Sequence, residues 1–213
     1  MKLLKTFFVL ASFLAFATHI QAQEGNADLY DAVAPADSSF VRIINLSSST
    51  ISATLTSKVN PQRVAVNQLS NYRFVAPGKH KVTAGSASID LDLKANTAVT
   101  LVYENGKFSL INDQFSNEPR KAQVAFYNLT NEPMELKTAD GKHEVIPAVN
   151  KNQTGSRKVN EIKIAFAAYS GSKKIASYPN NFLKKGGSYS YLVIPEGSGY
   201  KAIAQQSGID PTE

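Results

Sequence analysis

The stretch SSFVRIINLSSS, Ser38 to Ser49, returns in altered form as KAQVAFYNLTNE, Lys121 to Glu132. Aligned on the shared Asn-Leu, Val41 falls over Val124, Ile43 over Phe126 and Asn45 over Asn128. Read as an extended segment, the first copy turns Val41, Ile43 and Asn45 to one side and Phe40, Arg42, Ile44 and Leu46 to the other, because successive side chains of a strand alternate. Each copy closes on Asn-Leu-Ser or Asn-Leu-Thr, and Asn152-Gln153-Thr154 adds a third match to the N-glycosylation pattern. The repeat gives the first two a structural explanation: an Asn at a strand end takes the tight bend that follows. One strand written twice implies one domain written twice.

The sequence around each copy has the same grammar. Ile51 to Leu55 alternates, Pro77-Gly78 is a turn pair, and Ile89 to Leu93 alternates strictly. Val99 to Tyr103 runs into Asn105-Gly106, a hairpin turn in which both residues take positive φ. In the second half Met134 to Thr138 and His143 to Ile146 flank Asp140-Gly141, Ile162 to Tyr169 is a longer strand, and Ser188 to Ile194 matches Thr97 to Tyr103, with Leu192-Val193-Ile194 over Leu101-Val102-Tyr103. No segment has helical periodicity. Short strands at regular spacing mean an all-β chain of two tandem antiparallel β-sandwich domains, immunoglobulin-like or carbohydrate-binding-module-like. The expected organisation is a first sandwich over 38–116 and a second over 117–208, joined by the polar, Pro-ended linker Asn112 to Pro119. An extended arm over 23–37 precedes them and a frayed tail over 209–213 follows.

The N-terminus reads as a secretory signal peptide over 1–22: Lys2 and Lys5, an apolar run from Phe7 to Ala17, and a cut between Ala22 and Gln23. That run is shorter than the about 20 residues a membrane span needs, and no second run of spanning length follows, so the mature chain is expected to be exported without a transmembrane span. There is no cysteine. Thiol chemistry, Cys-bound zinc and a lipid anchor are thereby excluded, and stability has to come from the core without disulfides. Of three His, His19 leaves with the leader, and His80 lies between Lys79 and Lys81. No metal or other cofactor is expected.

Charge is uneven. Gln23 to Ser116 carries 8 basic and 8 acidic residues, Asn117 to Glu213 carries 13 and 9. In the second half Lys151, Arg157, Lys158, Lys173, Lys174, Lys184 and Lys185 fall mainly in expected loops. They are the candidate surface for an acidic polysaccharide or an acidic protein patch. The export signal and the lack of basic-aromatic clusters argue against nucleic acid. Asp90 and Asp92 share one face of an alternating strand and read as solvated between Ile89, Leu91 and Leu93. The numerous tyrosines read chiefly as core residues. An esterase reading would join Ser38 to the Asp-x-x-His of Asp140 to His143. Against it, Asp140-Gly141 is a turn, the Ser38 segment has no Gly to open an oxyanion hole, and there is no helix-bearing core.

LYDAVAPADSSFVRIIN (Leu29 to Asn45), AVTLVYENGKFSLIND (Ala98 to Asp113), NEPMELKTADGKHEVIPAV (Asn131 to Val149) and KIAFAAYSGSKKIA (Lys163 to Ala176) together resemble the AlgF family of periplasmic alginate O-acetylation proteins. The resemblance spans nearly the whole mature chain and carries no catalytic signature. It implies a non-catalytic periplasmic accessory in exopolysaccharide biosynthesis, acting with a membrane acetyl-carrier and separate periplasmic acetyltransferases on mannuronate residues. The anionic polysaccharide is a further possible partner. Two alternatives stand beside it: a direct acetyltransferase or covalent acetyl carrier engaging Ser38 or His143, and an adhesin-like structural module.

Overall fold

The computed structural model describes residues 34–114 and 118–210. The signal peptide, its cleavage site at Ala22 and Gln23, and most of the arm lie outside them. The described residues are all β, with no helix. In chain order the first half supplies β1 (Ser39–Asn45), β2 (Ile51–Leu55), β3 (Gln62–Val64), β4 (Gln68–Leu69), β5 (Arg73–Val75), β6 (Gly78–Ala84), β7 (Ala87–Leu93), β8 (Ala98–Glu104) and β9 (Lys107–Asp113). The second half supplies β10 (Ala122–Asn128), β11 (Met134–Thr138), β12 (Glu144–Val149), β13 (Gln153–Val159), β14 (Ile162–Ile164), β15 (Phe166–Ser170), β16 (Lys173–Ser177), β17 (Asn181–Leu183), β18 (Ser188–Glu196) and β19 (Gly199–Gln206).

Each half is a sandwich, so the tandem architecture expected from the repeat is the observed one. In the first, sheet β4-β1-β8-β9, with β5 also on β1, faces sheet β3-β2-β6-β7. Val41, Ile43, Val99 and Leu101 of one sheet meet Ala53, Leu55, Val82 and Leu91 of the other. In the second, sheet β13-β10-β18-β19 faces β12-β11-β15-β16, and Val124, Phe126, Tyr191 and Val193 meet Leu136, Ile146, Phe166 and Ala168. Antiparallel pairing dominates, but each sandwich has one parallel pair, β1 with β8 and β10 with β18. A parallel pair needs a long crossover. Here the crossover passes through the opposing sheet.

The sheets containing β1 and β10 also pack on each other through the faces turned away from their own cores. Ile44, Leu69, Val102 and Ile111 meet Ala125, Tyr127, Leu129, Leu192 and Ile194. The layers therefore run β2 sheet, β1 sheet, β10 sheet, β11 sheet. This explains the opening stretch. Every residue of β10 is buried, as is every residue of β1 except the half-buried Phe40. Strands covered on both faces read as continuous apolar runs rather than as alternation.

The repeated Asn is a strand-end staple. Asn45 Nδ2 donates to the carbonyls of Ser49 (2.8 Å) and Val64 (3.0 Å), while its Oδ1 accepts from Ser47 N (2.9 Å) and Ser47 Oγ (2.7 Å). Asn128 repeats the set: Nδ2 to the carbonyls of Glu132 (2.7 Å) and Val149 (2.8 Å), Oδ1 from Thr130 N (2.9 Å) and Oγ1 (2.8 Å). Both Asn are 0% exposed. Their amides hold the bend and the neighbouring strand and are closed to glycan attachment in the folded chain. A second pair is duplicated as well. Asn67 and Asn152, at φ 57° and 56°, donate their backbone N–H to the carbonyls of Asn45 (2.7 Å) and Asn128 (2.8 Å). The Asn of the third acceptor pattern is thus part of the duplication, although the first copy, Asn67-Gln68-Leu69, lacks the hydroxyl residue.

Several expectations change. Ile43 pairs with Leu101 and Phe126 with Tyr191, so Tyr191, not Leu192, corresponds to Leu101. A slip of one residue exchanges core and outer faces: Tyr191 fills the core, and Leu192 faces the other sandwich. The long strand from Ile162 divides at Ala165, because β14 pairs with β17 while β15 pairs with β11. Asn112 and Asp113, read as linker, complete β9. Ile209 and Asp210, read as frayed, are docked: Tyr72 N–H donates to Gly208 O, Asp210 N–H donates to Tyr72 O (2.8 Å), and the Asp210 carboxylate accepts from Gln62 Nε2 (2.6 Å). At Asn105-Gly106 the turn is as read, with φ of 51° and 72°.

Candidate functional site

The seam between the sandwiches is apolar at one end and polar at the other. The polar end is built on Arg42, which is 1% exposed. Parallel register sets Arg42 beside Thr100, and its Nε donates to Thr100 Oγ1 (2.9 Å). The two terminal nitrogens cross the seam, one to Ser207 Oγ (3.1 Å) and one to Tyr127 OH (2.7 Å). The guanidinium carbon lies 4.3 Å from the centre of the Tyr72 ring and 5.1 Å from that of Tyr127. Asp113 gathers the hydroxyls: its carboxylate accepts from Tyr72 (2.6 Å), Tyr127 (3.0 Å) and Thr100 (2.7 Å). A buried cation is thus linked to a carboxylate through neutral hydroxyls, which satisfies the hydrogen bonding burial demands.

Electrostatics keep the guanidinium charged and the two phenols neutral. Burial works against the Arg42 charge, but the neighbouring Tyr127, Tyr72 and Asp113 outweigh it and hold the guanidinium above its ordinary value. Burial pushes the Tyr72 phenol well above its ordinary value and raises that of Tyr127. Both remain donors. Beside them the sheets leave a cavity of about 280 Å³ whose walls come from both halves, among them Phe40, Tyr72 and Asp113 from the first and Gln123, Ser190 and Ser207 from the second.

The seven basic residues named from the sequence do not converge. Arg157 and Lys158 lie on strand β13, and Lys173 and Lys174 on strand β16, not in loops. These strands are edges of different sheets. Lys151 Nζ donates to Asn131 Oδ1 (2.9 Å), Arg157 to Glu144 O (3.1 Å) and Lys174 to Ala139 O (2.6 Å). Lys184 and Lys185 occupy the turn before β18. Lys158 joins Lys121 around a separate recess of about 120 Å³. Ser38 and His143 are not brought together either. Ser38 precedes β1 and donates to Pro35 O (2.8 Å). His143 sits in the β11–β12 turn, with the β10 sheet between the two layers. Asp140 accepts from Thr138 Oγ1 (2.6 Å) and from Lys142 N (3.1 Å), bonds that lower its pKa and mark it as a turn residue. Asp90 is exposed and paired with Lys81 at 3.5 Å.

A family model described as alginate O-acetyl transferase AlgF matches residues 11–190. The chain belongs to the AlgF family. A protein named alginate biosynthesis protein AlgF from Azotobacter vinelandii is 34% identical over 170 residues, 79% of this chain and 77% of that protein. Its namesake from Pseudomonas fluorescens is 34% identical over 185 residues, 86% of this chain and 85% of that protein. A solved C-terminal domain of AlgF from P. aeruginosa is 31% identical and covers 41% of this chain and 98% of that one, with a TM-score of 0.38.

The site residues not legible from the sequence are Arg42, Tyr72, Thr100, Asp113 and Tyr127. One signal was available: Arg42 interrupts an otherwise apolar run inside the repeated strand, and its counterpart is Ala125. A charge present in one copy alone, in a strand covered on both faces, belongs to what joins the copies. Among the described residues, no helix is long and apolar enough to cross a membrane.

Proposed function

We propose that the chain is a non-catalytic periplasmic accessory protein for O-acetylation of alginate or a related exopolysaccharide. It acts with a membrane acetyl-carrier and separate acetyltransferases, and the acidic polymer is a further candidate partner. Family membership supports the pathway, and the signal peptide read in the sequence supports the compartment. The observation that carries the accessory role is the separation of Ser38 from His143 by a whole sheet. Acyl transfer by a Ser-His pair needs hydrogen-bond contact between them. Deleting the gene in the producing organism should lower the acetyl content of the polymer. A Ser38→Ala/His143→Ala double variant should restore it as fully as the wild type. Unchanged acetylation on deletion rejects the reading.

The description of the matching family model favours a second reading, direct acetyl transfer or a covalent acetyl carrier. It requires turnover of an activated acetyl ester by the purified protein, or an acetyl adduct in its intact mass, and failure of the double variant to complement.

A further inference from the structure

The cavity at the polar end of the seam has walls suited to one kind of ligand. Phe40 and Tyr72, edge to face at 6.3 Å, and the small residues Ala98 and Ala125 give it an apolar, partly aromatic side. Gln123, Ser190, Gln206 and Ser207 give it a side of amides and hydroxyls. Ser207 Oγ already accepts from Arg42 and bonds Ser190 Oγ, and Gln123 Nε2 donates to Gln114 O, which leaves the Gln206 amide and the remaining capacity of the others for a ligand. Polar groups placed around an apolar wall are how small-molecule sites fix orientation.

Charge narrows the class. Among the described lining residues Asp113 is the one ionised group. Its oxygens already accept from three protein hydroxyls. Arg42 does not line the cavity, since its donors are turned to Thr100, Tyr127 and Ser207. A ligand carboxylate or phosphate would lie near Asp113 with no facing cation, a costly arrangement at a half-buried site. Lys121 and Lys158 belong to the separate recess, which shares the wall at Gln123 and Gly187. The volume of about 280 Å³ falls at the lower edge of the roughly 300–1,000 Å³ typical of small-molecule sites. It suits a single ring rather than a chain of them.

The geometry points to a binding site for one neutral polyhydroxylated ring, a pyranose without a charged substituent, held between Phe40 and Tyr72 on one side and Gln206 and Ser207 on the other. The site needs both sandwiches, since neither half alone supplies both walls. It stands independently of the acetylation role proposed above.

The test is a titration of the full mature chain followed by amide resonances. Methyl α-mannopyranoside and methyl β-glucopyranoside are the neutral probes, and sodium mannuronate is the charged one. At least one neutral pyranoside should shift the amides of Gly187, Ser190 and Ser207 saturably, and mannuronate should leave them in place. Gln206 lies at the exposed end of β19, so Gln206→Trp should block the mouth, weaken binding at least tenfold and leave the remaining spectrum unchanged. No saturable shift from either neutral probe overturns the proposal. So does mannuronate moving the same amides as strongly, or Gln206→Trp binding like the wild type.

Discussion

The two sandwiches agree in what holds each one together and differ in what joins them. Asn45 and Asn128 make the same four bonds to corresponding partners, within 0.2 Å at every distance. At the seam the likeness stops. To the cluster around Arg42 the first sandwich contributes a guanidinium and a carboxylate, while the second contributes the hydroxyls of Tyr127, Ser190 and Ser207. The shared Asn pair holds each sandwich together, whereas Arg42, present in one copy alone, reaches across the joint.

The largest effect should come from breaking the joint. Arg42→Met keeps most of the volume but leaves Tyr127, Thr100 and Ser207 without their donor and the part-buried Asp113 without a balancing charge. Removing one member of a buried charged network costs about 3 kcal/mol. Denaturant unfolding followed by a probe in each half should change from one coincident transition to two. A variant still unfolding in one transition at the wild-type midpoint would mean that the apolar end of the seam is sufficient alone.

The next test concerns what the halves share. Asn45→Ala and Asn128→Ala each remove four hydrogen bonds at a buried strand end, and each should cost roughly 1–3 kcal/mol. Because the geometries match, the two losses should agree to within about 0.5 kcal/mol, as read from denaturation midpoints at unchanged slope. A large inequality would mean that one staple bears a load across the seam that its copy does not.

The staples and many of the strand positions were legible because they rest on local rules: Asn before a bend, period-two alternation, Asn-Gly turns. The seam was not. Asn112 and Asp113 look like linker because they are polar and precede a Pro, yet Asp113 is buried enough to anchor three hydroxyls through contacts between residues far apart in sequence. Strand β13 is nearly all polar, and was missed because one of its faces is solvated while its backbone pairs along the whole length of β10. The one-residue error between Leu101 and its counterpart has the same origin. In strands buried on both faces the apolar pattern no longer says which side is which, and only pairing to β1 or β10 decides it.

A third effect, smaller at neutral pH, separates seam from solvent. Tyr72 and Tyr127 titrate higher in the folded chain than the ordinary value near 10. The unfolded chain therefore releases these protons first. Their contribution is complete below about pH 10 and is lost as pH rises toward the folded values. Thermal melts should hold steady between pH 7 and 9 and fall above 10, and Tyr127→Phe should make that fall shallower. Ultraviolet titration of the phenols checks the same point directly, because Tyr72 and Tyr127, with the core Tyr178 and Tyr191 that burial also raises, should ionise together with unfolding.

The smallest effect is the most discriminating, because it sets one buried tyrosine against another. Tyr127 at the seam receives a bond from Arg42 and gives one to Asp113. Tyr178, in the core of the second sandwich, has a buried hydroxyl without a hydrogen-bond partner among the described residues. What holds its ring is packing: it meets Tyr191 edge to face at 5.1 Å, and Tyr191 in turn meets Phe166 at 5.0 Å. Phe preserves those ring contacts. Tyr178→Phe therefore removes only a desolvated and unpaired hydroxyl, and should leave stability within about 0.5 kcal/mol of the wild type or raise it by up to about 1 kcal/mol. Tyr127→Phe, the same chemical change, should cost about 1.5–3 kcal/mol, because it cuts a bond to a charged group on either side. Equal losses at the two sites would mean that the Tyr178 hydroxyl is held by a buried water, and that the second core is less dry than its apolar lining implies.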